Sequence, residues 1–207
     1  CCMPLLPLTP FNGRPWPEGC RRVGQLADAA DSMAAMAPWV DQDVVPDLLL
    51  LLAATRTAEQ EGISAAGATA AARRTTALAD AELLLKGPLV APSWPLPTLP
   101  AGVSPALLSH VVAARLGLQP QVAAMGLMRQ PDFDHLRLES PDRGPADCLS
   151  SGAAMPLERV NHLWRQGEQL GASLQRPIVL AECVPGGTTT AQAVLTALGF
   201  EVGDLIS

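Results

Sequence analysis

The residues best suited to chemistry lie in one run, Glu182-Cys-Val-Pro-Gly-Gly-Thr-Thr-Thr190. A carboxylate is followed by a Pro-Gly-Gly turn, and three hydroxyl side chains open the stretch 191–198. Glycine lets a ligand come close to the backbone. The first turn of a helix carries N–H groups without an intrahelical acceptor, at the positive end of the helix dipole. Gly186, Gly187, Thr188, Thr189 and Thr190 therefore have the makings of a phosphate cradle. The same letters also fit a plain helix start, with the threonines as ordinary N-caps. No Lys follows the glycines, so the run is not a Walker loop, and the glycine spacing is not the dinucleotide fingerprint. Glu182, beside the cradle, has two roles open to it. It can cap the next backbone turn, or it can hold a ribose hydroxyl or take a proton from a heterocycle.

Other reactive side chains have plainer readings. Arg73 and Arg74 could meet a phosphate, but a solvated helix face is the simpler expectation. Cys183 has no His near it in sequence and is expected to pack as a small residue. His110 and His162 fall within helical stretches as surface or boundary residues. His135, with Asp132 and Asp134, has the residue types of a metal site, but a solvated loop is the simpler expectation. Trp164 is expected in the core or at a dimer interface. The five cysteines, Cys1, Cys2, Cys20, Cys148 and Cys183, form no Cys-x-x-Cys pair, and no His stands at ligand spacing. A zinc site is not expected, and no cofactor is implied. An odd cysteine count without a signal-like start suits reduced thiols in a cytoplasm.

The elements that must position the run follow from periodicity. Residues 47–54 are continuously apolar, the mark of a strand buried on both faces. Residues 62–67 are small and turn-like, and Thr69 can cap a helix from about 70 to 78. Residues 82–85 form a short strand candidate, and 87–102 is a Pro-rich loop. Ser104-Pro105 is a helix start, and Gly117 ends that helix. Residues 121–125 read as a strand and 129–147 as irregular. Pro156 opens a helix with apolar residues at Leu157, Val160, Leu163, Trp164, Leu170 and Leu174. A buried strand at 178–181 and a helix at 188–198 frame the candidate loop. Alternating strands and helices argue for an α/β fold with a mainly parallel sheet covered on both faces. Residues 1–46 are Pro/Ala-rich, with one short helix at 21–37, and read as an N-terminal extension to a domain at 47–207.

Composition limits the partners. Of 207 residues, 48% are hydrophobic and 16% charged, which suits a packed core and not a disordered chain. Lys and Arg number 14 against 20 Asp and Glu, a formal charge of -6, so nothing draws the chain generally toward nucleic acid or anionic lipid. The longest apolar run, 48–54, is too short to cross a bilayer.

Three segments carry a family resemblance. Residues 182–199 resemble the Glu–Gly–Thr–Thr loop and helix of the nicotinate-nucleotide:dimethylbenzimidazole phosphoribosyltransferase family, in its archaeal and cyanobacterial branch. Gly62-Ile-Ser-Ala-Ala-Gly-Ala-Thr69, with Arg73-Arg74 and Ala79-Asp-Ala-Glu-Leu-Leu84, is a second match. Ser151-Gly-Ala-Ala-Met155, through Gly167 and Gly171, is a third. The resemblance implies a Rossmann-like three-layer α/β/α fold, incomplete at the C-terminus, and a homodimer. It implies transfer of phosphoribose from nicotinate mononucleotide to a benzimidazole-type base in cobalamin lower-ligand assembly. By the same resemblance Gly186, Gly187, Thr188, Thr189 and Thr190 hold the ribose phosphate, with Glu182 beside the sugar. Ser64 then lies near the accepting base, and Gly152 lines the nucleotide site. The family's proposed catalytic Glu falls beyond Ser207, so no catalytic residue is assigned within the chain. Thr55-Arg56-Thr57 also departs from the family, which often has a Glu between the threonines. An enzyme therefore competes with a non-catalytic nucleotide-binding module or an inactive truncated homologue.

Overall fold

In a computed structural model, the described residues are 45–64, 66–88, 91–96 and 104–203. The expected N-terminal extension, with its helix at 21–37, lies outside them apart from Val45 and Pro46. From Asp47 onward the chain forms one structural unit.

Five leucines follow Asp47 in strand β1 (Asp47–Leu52), and four of them are buried. β1 is central because it is apolar on both faces. It pairs in parallel with β2 (Pro120–Ala124) on one side and β4 (Ile178–Cys183) on the other. Leu50 aligns with both Val122 and Ala181. A two-residue strand, β3 (Leu136–Arg137), extends the sheet beyond β2, again in parallel. The order is β3-β2-β1-β4. This is an all-parallel, Rossmann-like α/β sheet, with helices between β1 and β2 and between β3 and β4.

Among the described residues five helices accompany it: α1 (Ala70–Arg73), α2 (Thr76–Lys86), α3 (Pro105–Leu116), α4 (Leu157–Ser173) and α5 (Gly187–Ala197). Thr69 caps α1 by accepting from the Ala72 N–H at 3.2 Å, and Ser104 caps α3 by accepting from the Ala106 N–H at 3.1 Å. Gly117 closes α3 in the left-handed region, at φ +70°, as its sequence position predicts. Ala77, Leu78, Ala81 and Leu84 of α2 pack on Leu50, Leu52, Val122 and Ala124 of the sheet. The small alanines let helix and strands approach closely. Full burial of a leucine such as Leu52 or Leu78 stabilises by about 1.5–3 kcal/mol.

Three expectations need correction. Residues 82–85 are the last turn of α2, not a strand: Leu78, Ala81, Glu82 and Leu84 are buried at helical spacing, and Ala and Leu favour helix. The irregular stretch 129–147 contains β3, whose two residues are too few to show a period. β4 is only half-buried, with Leu180 63% exposed, because among the described residues it pairs with β1 alone. Of the two places expected for Trp164, the core is excluded, since it is 70% exposed. Among the described residues no helix is long and apolar enough to cross a membrane.

Candidate functional site

The strand order makes the chain reverse direction across the sheet between β3 and β4. By the right-handed rule for parallel crossovers, that order puts the β1–β2 helices and α4 on opposite faces. The carboxyl ends of β1 and β4 are the point where the connections part, and open α/β sheets bind ligands at that place. The loop predicted to carry chemistry is there, leading from β4 into α5.

Three loops meet at this end. The Thr55 hydroxyl, after β1, donates to the Pro185 carbonyl, after β4, at 2.9 Å. The loop after β3 adds a parallel bridge between Thr55 and Ala146. There the Arg56 N–H donates to the Ala146 carbonyl at 2.8 Å, and the Ala146 N–H to the Ala54 carbonyl at 3.2 Å. The Leu149 N–H donates to the buried Thr57 hydroxyl at 3.0 Å. Thr55 and Thr57, noted in the sequence only as a departure from a family pattern, form the seam of the site. Their signal was polar β-branched residues placed directly after an apolar strand.

Gly186 is pressed into this seam. Its φ is +82°, and a Cβ there would stand 2.5 Å from the Thr55 hydroxyl oxygen and 3.0 Å from the Ala58 nitrogen. Gly187 is less restricted: its N–H donates to the Val184 carbonyl at 2.7 Å, and an added Cβ would meet the Val184 Cβ at 3.2 Å. The Thr190 N–H and hydroxyl both donate to the Gly186 carbonyl, each at 3.2 Å. The hydroxyl of Thr190 is thus engaged within the helix. Among the described residues, the N–H groups of Thr188 and Thr189 and their hydroxyls have no partner. Glu182 is exposed, and its Oε1 lies 3.5 Å from where a Cβ on Gly187 would be. One carboxylate and a set of open donors therefore share one corner of the molecule.

Ser64 lies in the loop after β1, where its hydroxyl accepts from the Ala66 N–H at 3.3 Å. Gly152 ends a 3-10 turn, Leu149–Ser151, in the loop after β3, at φ +71°. Both loops reach the seam. Among the described residues, no hydrogen bond links either residue itself to the Gly186–Thr190 segment.

Several side chains are structural. Arg73 is buried, not on a solvated face. Its guanidinium donates to the Ala58 carbonyl and, at 2.9 Å, to the Gly67 carbonyl, clamping the first loop. Arg74 pairs with Glu59 at 2.8 Å. The Cys183 thiol lies 3.5 Å from Asp80, whose other oxygen accepts from Ser104 at 2.7 Å. Burial, then the Asp80 charge, pushes that thiol far up, which leaves little thiolate near neutral pH. Cys148, beside the seam, is the opposite case: hydrogen bonds from the Ser150 hydroxyl and backbone hold its thiol below the usual range. His110 approaches the Leu84 carbonyl at 2.9 Å and ties α3 to α2. Among the described residues, no group of three or more His, Cys, Asp or Glu could hold a metal ion.

No family model matches the chain. A UPF0284 protein of Parasynechococcus marenigrum (strain WH8102) is 64% identical over 98% of the chain. One from Prochlorococcus marinus (strain MIT 9313) is 58% identical over 99% of it. Both homologues are cyanobacterial UPF0284 proteins. A third, from Cyanothece sp. (strain PCC 7425 / ATCC 29141), is 48% identical over 75% of the chain. The chain spans about half the length of the first two UPF0284 relatives, 52% of each, and 42% of the third.

Proposed function

We propose that the corner formed by Glu182 and Gly186–Thr190 binds the phosphate of nicotinate mononucleotide. In the whole protein, the bound phosphoribose is transferred to a benzimidazole-type base in cobalamin lower-ligand assembly. The observation that carries the proposal is the pair of open N–H groups, Thr188 and Thr189, at the start of an eleven-residue helix. They stand at the topological switch point, beside a glycine that no other residue can replace without strain. A phosphate there gains charge-assisted hydrogen bonds and the helix dipole.

The reaction breaks the C1′–N bond to nicotinate and forms a C1′–N bond to the accepting base, whose ring nitrogen loses its proton. Positive charge builds on the sugar as the first bond breaks. Glu182 is the carboxylate nearest the cradle and supports that charge or a ribose hydroxyl. Anchoring the phosphate fixes the sugar's orientation relative to the incoming base. Exposed Leu157 and Trp164 on α4 suit the homodimer that the family resemblance implies.

Calorimetric titration of nicotinate mononucleotide into the protein, with chromatography of released nicotinate in the presence of dimethylbenzimidazole, tests the proposal. Binding should weaken by about 1–3 kcal/mol in Thr189→Ala if its hydroxyl is used. Turnover establishes the transferase; binding without turnover leaves a nucleotide-binding module. Absence of binding by the folded protein rejects both.

A further inference from the structure

Outside the cradle, the described residues hold one buried, fully paired ion pair, Glu139–Arg159. Each residue is 7% exposed. Arg159, in the first turn of α4, donates through Nε to Glu139 Oε2 at 2.9 Å and through a terminal nitrogen to Oε1 at 2.5 Å. The same terminal nitrogen donates to the Gly144 carbonyl at 2.7 Å. Gly126, two residues after β2, makes room for it: at φ +56°, a Cβ there would stand 2.7 Å from that nitrogen. Buried ion pairs add little stability over well-packed apolar residues, because desolvation offsets the attraction. What a two-pronged pair supplies is a fixed geometry.

That geometry governs a loop. Gly144 stands two residues before Ala146, and Ala146 bonds to Ala54 and Arg56; Leu149 then bonds to Thr57. Thr55 in turn holds Pro185 and abuts Gly186. We propose that the Glu139–Arg159 pair is a positioning device. It fixes the loop after β3 against the loop after β1, and thereby sets the seam on which Gly186 rests. Its effect on ligand binding rests on the function proposed above; its effect on the seam does not.

The test uses the double variant Glu139→Leu/Arg159→Met, which removes both charges together and so leaves no lone buried ion. Gly126→Ala is the second variant: it keeps both charged residues, but its Cβ would press on the Arg159 nitrogen, the Gly144 carbonyl and Glu139 Oε1 and so disturb the geometry of the pair. Amide hydrogen exchange at Arg56, Ala146 and Leu149, and titration with nicotinate mononucleotide, are the two readouts. In a folded double variant, exchange at these three amides should quicken at least about tenfold, while amides of β1 stay protected. Nucleotide affinity should fall by about tenfold or more, with Gly126→Ala changing both in the same direction. Unchanged exchange at the three amides in either folded variant overturns the proposal. Faster exchange with unchanged affinity also overturns it, by making the pair structural only. If the unsubstituted protein does not bind the nucleotide, the proposed function fails, and the exchange result alone decides whether the pair sets the seam.

Discussion

At the residue scale, the two glycines of the cradle differ, although the sequence presents them as equivalent. Gly186 has a positive φ and no room for a side chain, whereas Gly187 is an ordinary first helical residue with Val184 as its neighbour. Gly186→Ala should lower unfolding stability by about 1–3 kcal/mol from backbone strain, with added loss from the Thr55 contact. Gly187→Ala should cost clearly less; urea unfolding of the two variants makes the comparison. If Gly187→Ala is the more damaging, the seam does not confine Gly186. The two described cysteines also diverge. A lowered thiol pKa gives more thiolate at neutral pH, and only thiolate attacks an alkylating agent. Cys148 should therefore be labelled by iodoacetamide well before Cys183, as peptide mass mapping at pH 7 would read. Equal labelling would mean that the Asp80 side of Cys183 opens to solvent.

At the element scale, α2 is the helix that holds the sheet, and it carries a carboxylate in its buried face. Glu82 is 1% exposed; it accepts from the Trp94 N–H at 2.9 Å and from Lys86 at 3.0 Å. Burial alone would raise its pKa, but the Trp94 and Ser93 backbone bonds and the Lys86 ammonium outweigh that and hold it below the ordinary 4.5. The unfolded chain therefore binds the proton more tightly than the folded one. The stabilisation is fully present above the unfolded value and is lost as pH falls through the folded value. Melting temperature should thus decline below about pH 4.5 partly through Glu82, and Glu82→Gln should show a shallower decline at a lower plateau. Parallel pH profiles for the two proteins would contradict the assignment. The sequence could not place Glu82 inside, because a single charged residue in an apolar run breaks the pattern of either a strand or a helix. Its partner Trp94 lies in a Pro-rich loop with no period at all.

At the scale of the whole molecule, apolar surface is unevenly distributed. α2 buries its apolar face, while α4 leaves Leu157 and Trp164 more than two-thirds exposed. Trp164→Ser should change monomer stability by no more than about 0.5 kcal/mol, because an exposed side chain has little to lose. Sedimentation velocity should show weakened self-association in the same variant if α4 is the dimer face. A large stability loss at unchanged mass would place Trp164 in an intrachain contact instead. By itself the sequence determined the parallel α/β class, the two-sided burial of the leucine strand β1, the caps at Thr69 and Ser104, and the glycine–threonine helix start. Each of these depends on local backbone preference or on a short apolar period, and both are written in neighbouring residues. Only the tertiary structure decided that Thr55 and Thr57 are the seam of the site, that Arg73 is a buried clamp, and that Glu139 meets Arg159. Those partners stand between 15 and 130 residues apart, and their pairing follows from strand order, not from spacing along the chain.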